Sequence, residues 1–284
     1  MGNSRWRVTG LSGQGLLSAQ RLARALIWGV QAELDLTPKP GLVDRCDSGS
    51  HEDLNYLLMA RSIELLEAHF QKCVVGLEQE QPLAWFRELG IATEKRMIQS
   101  FGTNTHRGAV FLGTLLLIGV HDAGSDSRAV SLAVATNSRR LFSTAMPLNT
   151  IGSKTRLHYR VGGIVEEAMN GLPALFRVGV PSLQEAESLK WSQSHGQFLA
   201  LARLMQSVTD TTALRRCGPT GLLQLVRDGS QLETLLRQGG DPLKLLSELN
   251  RQYRQARLTM GGVADLLAMT IAWGHFAAGE ESIG

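Results

Sequence analysis

The chain has little of several features that would point to particular classes of protein. Its 284 residues include three cysteines, Cys46, Cys73 and Cys217, whose spacing fits neither a disulfide framework nor a zinc site. The net charge of +3 is small, and no basic run is interleaved with aromatic residues, so we expect no nucleic-acid partner. The longest apolar stretch, Ala109 to Val120, is too short to cross a bilayer. With no apolar signal near the N-terminus, we expect a cytoplasmic protein without a membrane partner.

Alternating strand patterns are also scarce, and Leu157 to Val161 is the one brief exception. Apolar residues instead recur with helical period along most of the chain. The sequence predicts helices that include residues 16–27, a segment starting near Ser50, and residues 85–101, 109–120, 128–145, 183–208, 222–236, 243–253 and 263–276. Residues 109–120 are apolar on every side, which predicts a helix buried among the others. We therefore expect an all-α fold, a single-domain multi-helix bundle around a buried central helix, spanning residues 1–284.

The most informative segment is Thr37 to Asp53, which reads TPKPGLVDRCDSGSHED. Two prolines hold Lys39 in stiff, non-helical backbone, and both charge signs are dense around it. Lys39 and Arg45 suit phosphate oxygens, and Asp44 suits Mg²⁺. Glu33, at the end of the preceding helix, is close enough in sequence to point at the same site. On the alternative interpretation these are solvated surface charges.

Residues 50–53, Ser-His-Glu-Asp, fit two interpretations. A serine followed three residues later by an acid is typical of a capping box, in which Asp53 only completes the start of a helix. On the functional interpretation His51 is a ligand or proton carrier and Asp53 is a metal ligand or catalytic carboxylate. Capping and catalysis are compatible at these positions.

A second polar segment, GTNTHRG at residues 102–108, leads straight into the apolar run. The residues at 103–105, Thr-Asn-Thr, are N-cap candidates, which would place Arg107 in the first helical turn. Free N–H groups and the positive end of the helix dipole attract anions there. We predict phosphate contacts from Arg107 and the nearby backbone N–H groups, with His106 lining the pocket. A lone histidine is more often structural.

At these segments the chain resembles a known family. TPKPGLVD, GSHED and NTHRGA are similar to the signatures of triphosphoribosyl-dephospho-CoA synthases, which occur in malonate decarboxylase and citrate lyase gene clusters. The resemblance runs from about Glu33 to the GGVADLLA segment. It implies an all-helical pentosyltransferase that moves the triphosphoribosyl group of ATP to a hydroxyl of 3′-dephospho-CoA and releases adenine. The product is a prosthetic-group precursor. ATP and dephospho-CoA are then the substrates, and Mg²⁺ is expected with ATP.

The second half of the chain departs from the family pattern. Members typically have Arg-Gly-Glu at residues 165–167, where this chain has Val-Glu-Glu, and Asp-Thr-Asn at 210–212, where it has Asp-Thr-Thr. They have a histidine near Arg215 and Pro-Gly-Gly-Ser-Ala-Asp at 260–265, where this chain has Met-Gly-Gly-Val-Ala-Asp. The carboxylates Glu167, Asp210 and Asp265 remain. These changes keep two alternatives open: a divergent relative with another phosphorylated ribosyl donor or acceptor, and a non-catalytic nucleotide-binding protein.

The resulting assignments fall into three groups. The catalytic candidates are His51, Asp53, Glu167 and Asp210. The nucleotide-binding candidates are Lys39, Arg45, Thr105, His106, Arg107, Gly108, Gly261 and Gly262. The metal candidates are Glu33, Asp44, Asp53 and Asp265. The glycine pair at 261–262 suits a loop before a helix N-terminus, although a plain turn is its commoner meaning. The sequence leaves the oligomeric state open, a homo-oligomer included.

Overall fold

The computed structural model describes residues 9–144 and 151–281. Its helices are α1 (Thr9–Asp35), α2 (Tyr56–Glu78), α3 (Leu83–Phe101), α4 (Arg107–Ala123), α5 (Ser127–Thr144), α6 (Ile151–Tyr159), α7 (Gly163–Met169), a π-helix (Ala174–Gly179), α8 (Val180–Ser188), α9 (Gln193–Ser207), α10 (Thr211–Arg237), α11 (Pro242–Ala256) and α12 (Gly261–Glu281). Within these two ranges the chain forms no β-strand, which confirms the all-α prediction.

Helix α4 lies at the centre of the bundle, as its apolar sequence predicts. Every residue from Ala109 to Val120 except Phe111 is buried, and α1, α2, α5 and α12 pack around it. Gly113 permits close packing, since a methyl group there would come within 2.5 Å of the Phe70 ring. The N-terminal end of this helix therefore has a position fixed by the whole core.

Helices α1 and α12 pack against each other in antiparallel fashion, and this pairing builds the site. Gly29 of α1 lies so close to Ala272 of α12 that a methyl group on it would sit 2.6 Å from the alanine side chain. Towards the other end of the pair, Gly279 lies beside Arg21. The end of α1 is consequently brought to the beginning of α12.

Several predicted boundaries are wrong. The second helix begins at Tyr56, not near Ser50, and its N-cap is Asn55, which accepts a hydrogen bond from the Leu58 N–H. Ser50 instead donates its hydroxyl to the Leu258 carbonyl at 2.6 Å, so the capping box does not form. The segment 157–161 is the end of α6 and the turn after it. The predicted helix over 183–208 is interrupted between α8 and α9.

Among residues 9–144 and 151–281, no single helix is long and apolar enough to span a membrane. In the same ranges, one pair of helices, α4 with residues 127–142, is long and apolar enough when taken together, but the two are bent by 118° relative to each other. The prediction that one domain covers residues 1–284 stays a prediction.

Candidate functional site

Asp44 organises the loop between α1 and α2. Its Oδ2 accepts a hydrogen bond from the Lys39 N–H at 2.7 Å, and its Oδ1 accepts from the N–H groups of Cys46 and Asp47 at 2.7 and 3.2 Å. The carboxylate is buried. Asp44, a metal candidate from the sequence, therefore has both oxygens engaged by the backbone that it shapes.

Lys39 points into the protein and not towards solvent. Its ammonium donates to the Glu33 carboxylate and to the Glu33 carbonyl, each at 2.5 Å, and both side chains are buried. Burial raises the pKa of Glu33, and the adjacent ammonium opposes that rise. The structure thus gives Lys39, a phosphate-binding candidate, an intramolecular carboxylate partner that anchors the loop to the end of α1.

Arg45 lies on the surface beside the end of α1. Its guanidinium is 2.9 Å from Asp35 and lies over the ring of Tyr56 at 5.3 Å from the centroid. The Tyr56 hydroxyl donates to the same Asp35 at 2.6 Å. Arg45 therefore fixes the loop to the start of α2, and its contacts are separate from those of the other candidates.

A hydrogen bond joins the two polar segments that the sequence singles out. The Thr103 hydroxyl donates to Asp53 Oδ2 at 2.7 Å, and Asp53 Oδ1 lies 3.9 Å from His51 Nδ1. His51 Nε2 is 3.0 Å from the Thr259 hydroxyl. Burial, reinforced by Arg216, lowers the pKa of His51 to about 4, so its ring is neutral at physiological pH. Asp53 itself stays exposed and available to a ligand.

The second polar segment, residues 102–108, leads into the N-terminus of α4. The helix begins at Arg107 with His106 as its N-cap, so the predicted N-caps at 103–105 are wrong and the predicted place of Arg107 is confirmed. His106 is buried, with Nε2 3.1 Å from the Met59 carbonyl, and burial lowers its pKa to about 4. Thr105 is buried beside Met97. Only Arg107 of these residues reaches outward, with its Nε 3.4 Å from Glu94.

Asp210 caps two helices at once. Its Oδ1 accepts from the N–H groups of Thr212 and Ala213 at 2.8 and 2.9 Å, at the start of α10. Its Oδ2 accepts from Val263 at 3.0 Å, and Gly262 also donates to it, at the start of α12. The side chain is buried. Asp210 thus holds two helix N-termini together, and backbone N–H groups occupy both of its carboxylate oxygens.

Asp265 is the carboxylate at the centre of the candidate site. A methyl group on Gly108 would overlap its oxygens, the Ala109 N–H is directed at it, and Glu33 and Asp210 lie near enough to raise its pKa. The residue is partly exposed, as are Gly108, Thr212, Gly261 and Gly262, so these residues leave an accessible space beside its carboxyl. We call this the helix-end cleft and define it by Gly108, Thr212, Gly261, Gly262 and Asp265.

The environment of Asp265 gives it unusual chemistry. Desolvation by burial raises the pKa of this carboxyl to about 8, with smaller contributions from the charges of Glu33 and Asp210; the Ala109 N–H opposes the rise. The acid is therefore mostly protonated at neutral pH, although the N-termini of α4 and α12 adjoin it. A partly accessible neutral carboxyl in a cleft can donate a proton.

The structure adds arginines that sequence reasoning did not assign to the site. Burial and the charge of Arg107 lower the pKa of Arg156, which places these two guanidinium groups near each other. Arg216 donates to the Ser50 carbonyl at 2.6 Å, and Arg215 and Arg216 both act on His51. Arg156 lies outside the motifs that the sequence analysis singled out, and Arg216 lies next to Arg215, where the family pattern has a histidine, so the packing of α6 and α10 is needed to place both at the site.

The remaining candidates are Glu167, which lies at the start of the π-helix, and Gly261 and Gly262, which lie at the helix-end cleft. Glu167 Oε2 accepts from the Ala174 N–H at 3.1 Å and so caps the π-helix; burial raises its pKa. Gly261 and Gly262 lie at the cleft, where a methyl group on them would be 3.2 Å from the Thr212 hydroxyl and 3.1 Å from Asp210 Oδ2, respectively. Glycine at both positions keeps the cleft open beside α10.

The metal candidates do not assemble into a metal centre. In the described parts of the chain, no group of three or more histidine, cysteine, aspartate or glutamate side chains could hold a metal ion. Glu33 is paired with Lys39, and Asp44 accepts from backbone N–H groups.

Comparison with known proteins decides the family. Residues 19–282 match the family model described as ATP:dephospho-CoA triphosphoribosyl transferase. The chain belongs to this family. It is 34% identical over 267 residues to a protein of Pseudomonas syringae pv. tomato named "Probable 2-(5''-triphosphoribosyl)-3'-dephosphocoenzyme-A synthase", covering 88% of this chain and 89% of that protein. A 2-(5''-triphosphoribosyl)-3'-dephosphocoenzyme-A synthase of Klebsiella pneumoniae is 33% identical over 256 residues, covering 84% and 88%.

A further relative in Pseudomonas putida, with the same "Probable" synthase name, is 34% identical over 263 residues, which is 88% of this chain and 92% of that protein. No solved structure matches the chain. The family match includes both polar segments, the double cap at Asp210 and the helix-end cleft. The family is one of transferases, so the resemblance on which the sequence analysis relied is confirmed.

Proposed function

We propose that this transferase moves the triphosphoribosyl group of ATP to a hydroxyl of 3′-dephospho-CoA and releases adenine. The observation that carries the proposal is the family match over residues 19–282. It is supported by a cleft in which a protonated carboxyl lies between helix N-termini, with arginines beside it. Both features suit a reaction that breaks a glycosidic bond while a polyphosphate is held in place.

The reaction exchanges one bond at the anomeric carbon of ribose for another. The bond from this carbon to the adenine nitrogen breaks, and a bond to the acceptor oxygen forms. Positive charge builds on the ribose in an oxocarbenium-like transition state, as in glycoside cleavage. Adenine must gain a proton as it leaves, and the acceptor hydroxyl must lose one, so the transfer needs an acid and a base.

Asp265 is the acid in this proposal. Its carboxyl is mostly protonated at neutral pH because burial raises its pKa to about 8, and it stays partly exposed on the cleft floor. It donates its proton to the departing adenine, and the carboxylate that remains stabilises the positive ribose. It differs from the role of metal ligand that the sequence suggests, for which the carboxyl would have to be ionised.

Asp53 is the base in this proposal. Its exposed carboxylate lies where the two polar segments meet and is oriented by the Thr103 hydroxyl at 2.7 Å. It accepts the proton that the acceptor hydroxyl releases. Asp210 and Glu167 are positioning residues, because both accept hydrogen bonds from helix N–H groups.

The triphosphate lies, in this proposal, against Arg107, Arg156, Arg215 and Arg216, with the positive N-terminal end of α4 contributing. Mg²⁺ enters with ATP as part of the substrate, since it binds through phosphates and water with few protein ligands. The carboxylate of Glu94, beside Arg107 at 3.4 Å, is a protein group that would fit this ion, and the ion would neutralise charge on a triphosphate that is transferred intact.

The test is an adenine-release assay with MgATP, with and without 3′-dephospho-CoA. Adenine that appears only with 3′-dephospho-CoA supports the proposal. Adenine release without it, or only with another hydroxyl acceptor, would instead support a divergent relative; Thr212 at the cleft and Arg215 near His51 are two of the positions that differ from the family pattern. Binding of MgATP with no adenine under any condition would refute catalysis.

A further inference from the structure

A second arginine-rich surface adjoins the site on the side of α11. The structure shows an open groove of about 670 Å³ between the loop that precedes α2 and helix α11. Three arginines line it, Arg251, Arg254 and Arg257, together with the loop residues His51 and Glu52. We call it the α11 groove. None of the sequence motifs includes its arginines.

We propose that the α11 groove binds the diphosphate of 3′-dephospho-CoA; this inference rests on the proposed function. Guanidinium groups recognise phosphate oxygens through paired N–H donors, so three arginines on one wall suit a diphosphate. The triphosphate of ATP shares this chemistry. We assign the groove to the acceptor because Arg107, Arg156, Arg215 and Arg216 already surround the place where ATP is proposed to lie.

Each groove arginine forms an ion pair with a carboxylate that a phosphate can replace. Arg254 is 3.2 Å from Asp47, Arg257 is 3.4 Å from Glu52, and Arg251 is 2.6 Å from Glu248. All three guanidinium side chains are more than half exposed. Exposed ion pairs contribute little stability, so a phosphate can replace the carboxylates at low cost.

The floor of the groove is rigid and leads to the catalytic loops. Asn250 of α11 donates to Asp47 at 2.9 Å and accepts from the Gly41 N–H at 3.0 Å. Ser50 donates to carbonyl groups of Tyr253 and Leu258. Two residues beyond His51, a groove residue, Asp53 accepts from Thr103. A ligand whose diphosphate occupies the groove can thus extend past His51 towards the helix-end cleft.

The experiment measures KM for each substrate in Arg254→Ala and Arg257→Ala, with Arg139→Ala, an exposed residue of α5, as the matched control. We expect KM for 3′-dephospho-CoA to rise about tenfold in each groove variant, while KM for ATP changes less than twofold. A rise in KM for ATP instead would overturn the proposal, since the groove would then hold the triphosphate. Unchanged KM values for both substrates would overturn it as well.

A second arm measures binding by calorimetry, with adenosine as a control ligand that lacks both the diphosphate and the pantetheine arm of the acceptor. Arg254→Ala combined with Arg257→Ala should bind 3′-dephospho-CoA at least about tenfold more weakly than the wild type, while its affinity for adenosine stays unchanged. Because this arm measures binding without turnover, it tests the groove even if no adenine is released. Unchanged affinity of this double variant for 3′-dephospho-CoA would refute the assignment.

Discussion

Replacing Asp265 by asparagine tests the central assignment of the cleft. The amide has nearly the shape of the protonated carboxyl, so packing against Gly108 is kept while the titratable proton is removed. We expect adenine release to fall at least ~100-fold, the usual contribution of a general acid. In the wild type, activity should decline as the pH rises through about 8, because the acid form is then lost.

The same change has a defined effect on stability. The folded protein holds the Asp265 proton up to about pH 8, whereas the unfolded chain releases it near its ordinary pKa of 3.8. Folding therefore takes up a proton between these values, and the free energy of unfolding falls as the pH rises through that window. By pH 7, about three pH units above the ordinary pKa, this loss corresponds to ~4 kcal/mol. Water in the cleft screens part of it, so we expect ~2 kcal/mol.

The assay is denaturant unfolding at a series of pH values between about 4 and 8, followed by circular dichroism. Asp265→Asn should match the wild type near pH 4 and become more stable than it by ~2 kcal/mol near pH 8. Glu64→Gln, an exposed carboxylate on α2, is the control and should follow the wild type throughout. Parallel curves for wild type and Asp265→Asn across this range would show that Asp265 is not the neutral acid that we describe.

Three further predictions concern the surrounding residues. Asp210→Asn should lower the free energy of unfolding by ~2–3 kcal/mol, because an amide N–H₂ group would face backbone N–H groups that now have an acceptor; a melting temperature equal to that of the wild type would contradict the double cap. Arg107→Ala should weaken MgATP binding ~10- to 100-fold by calorimetry, and equal affinity, with Arg139→Ala as control, would remove Arg107 from the site. Gly108→Ala should abolish adenine release while circular dichroism still shows a helical fold, because its methyl group would displace Asp265; full activity would mean that the cleft tolerates this movement.

Local chemistry explains why part of this protein could be predicted. The uniformly apolar run from Ala109 to Val120 can only be a buried helix, and it is the centre of the bundle. Arg107 begins that helix because the polar segment ends there. The signature segments predicted the family, which the match over residues 19–282 confirms. In each case the information lies in neighbouring residues, where periodicity or a motif records it.

Other features depended on which distant residues meet. Sequence alone leaves Lys39 as a phosphate-binding or surface cation, but in the fold it is buried and paired with Glu33 at the end of α1. The sequence presents Asp210 as a catalytic candidate, but in the fold its carboxylate caps α10 and α12 together.

Asp265 is an ordinary aspartate in the sequence, and only its burial beside α4, Glu33 and Asp210 raises its pKa to about 8. The sequence by itself therefore determined the helices and the family. The tertiary structure decided which carboxylates stabilise the fold and which one is available for chemistry, because desolvation and hydrogen-bond partners depend on residues far apart in the chain.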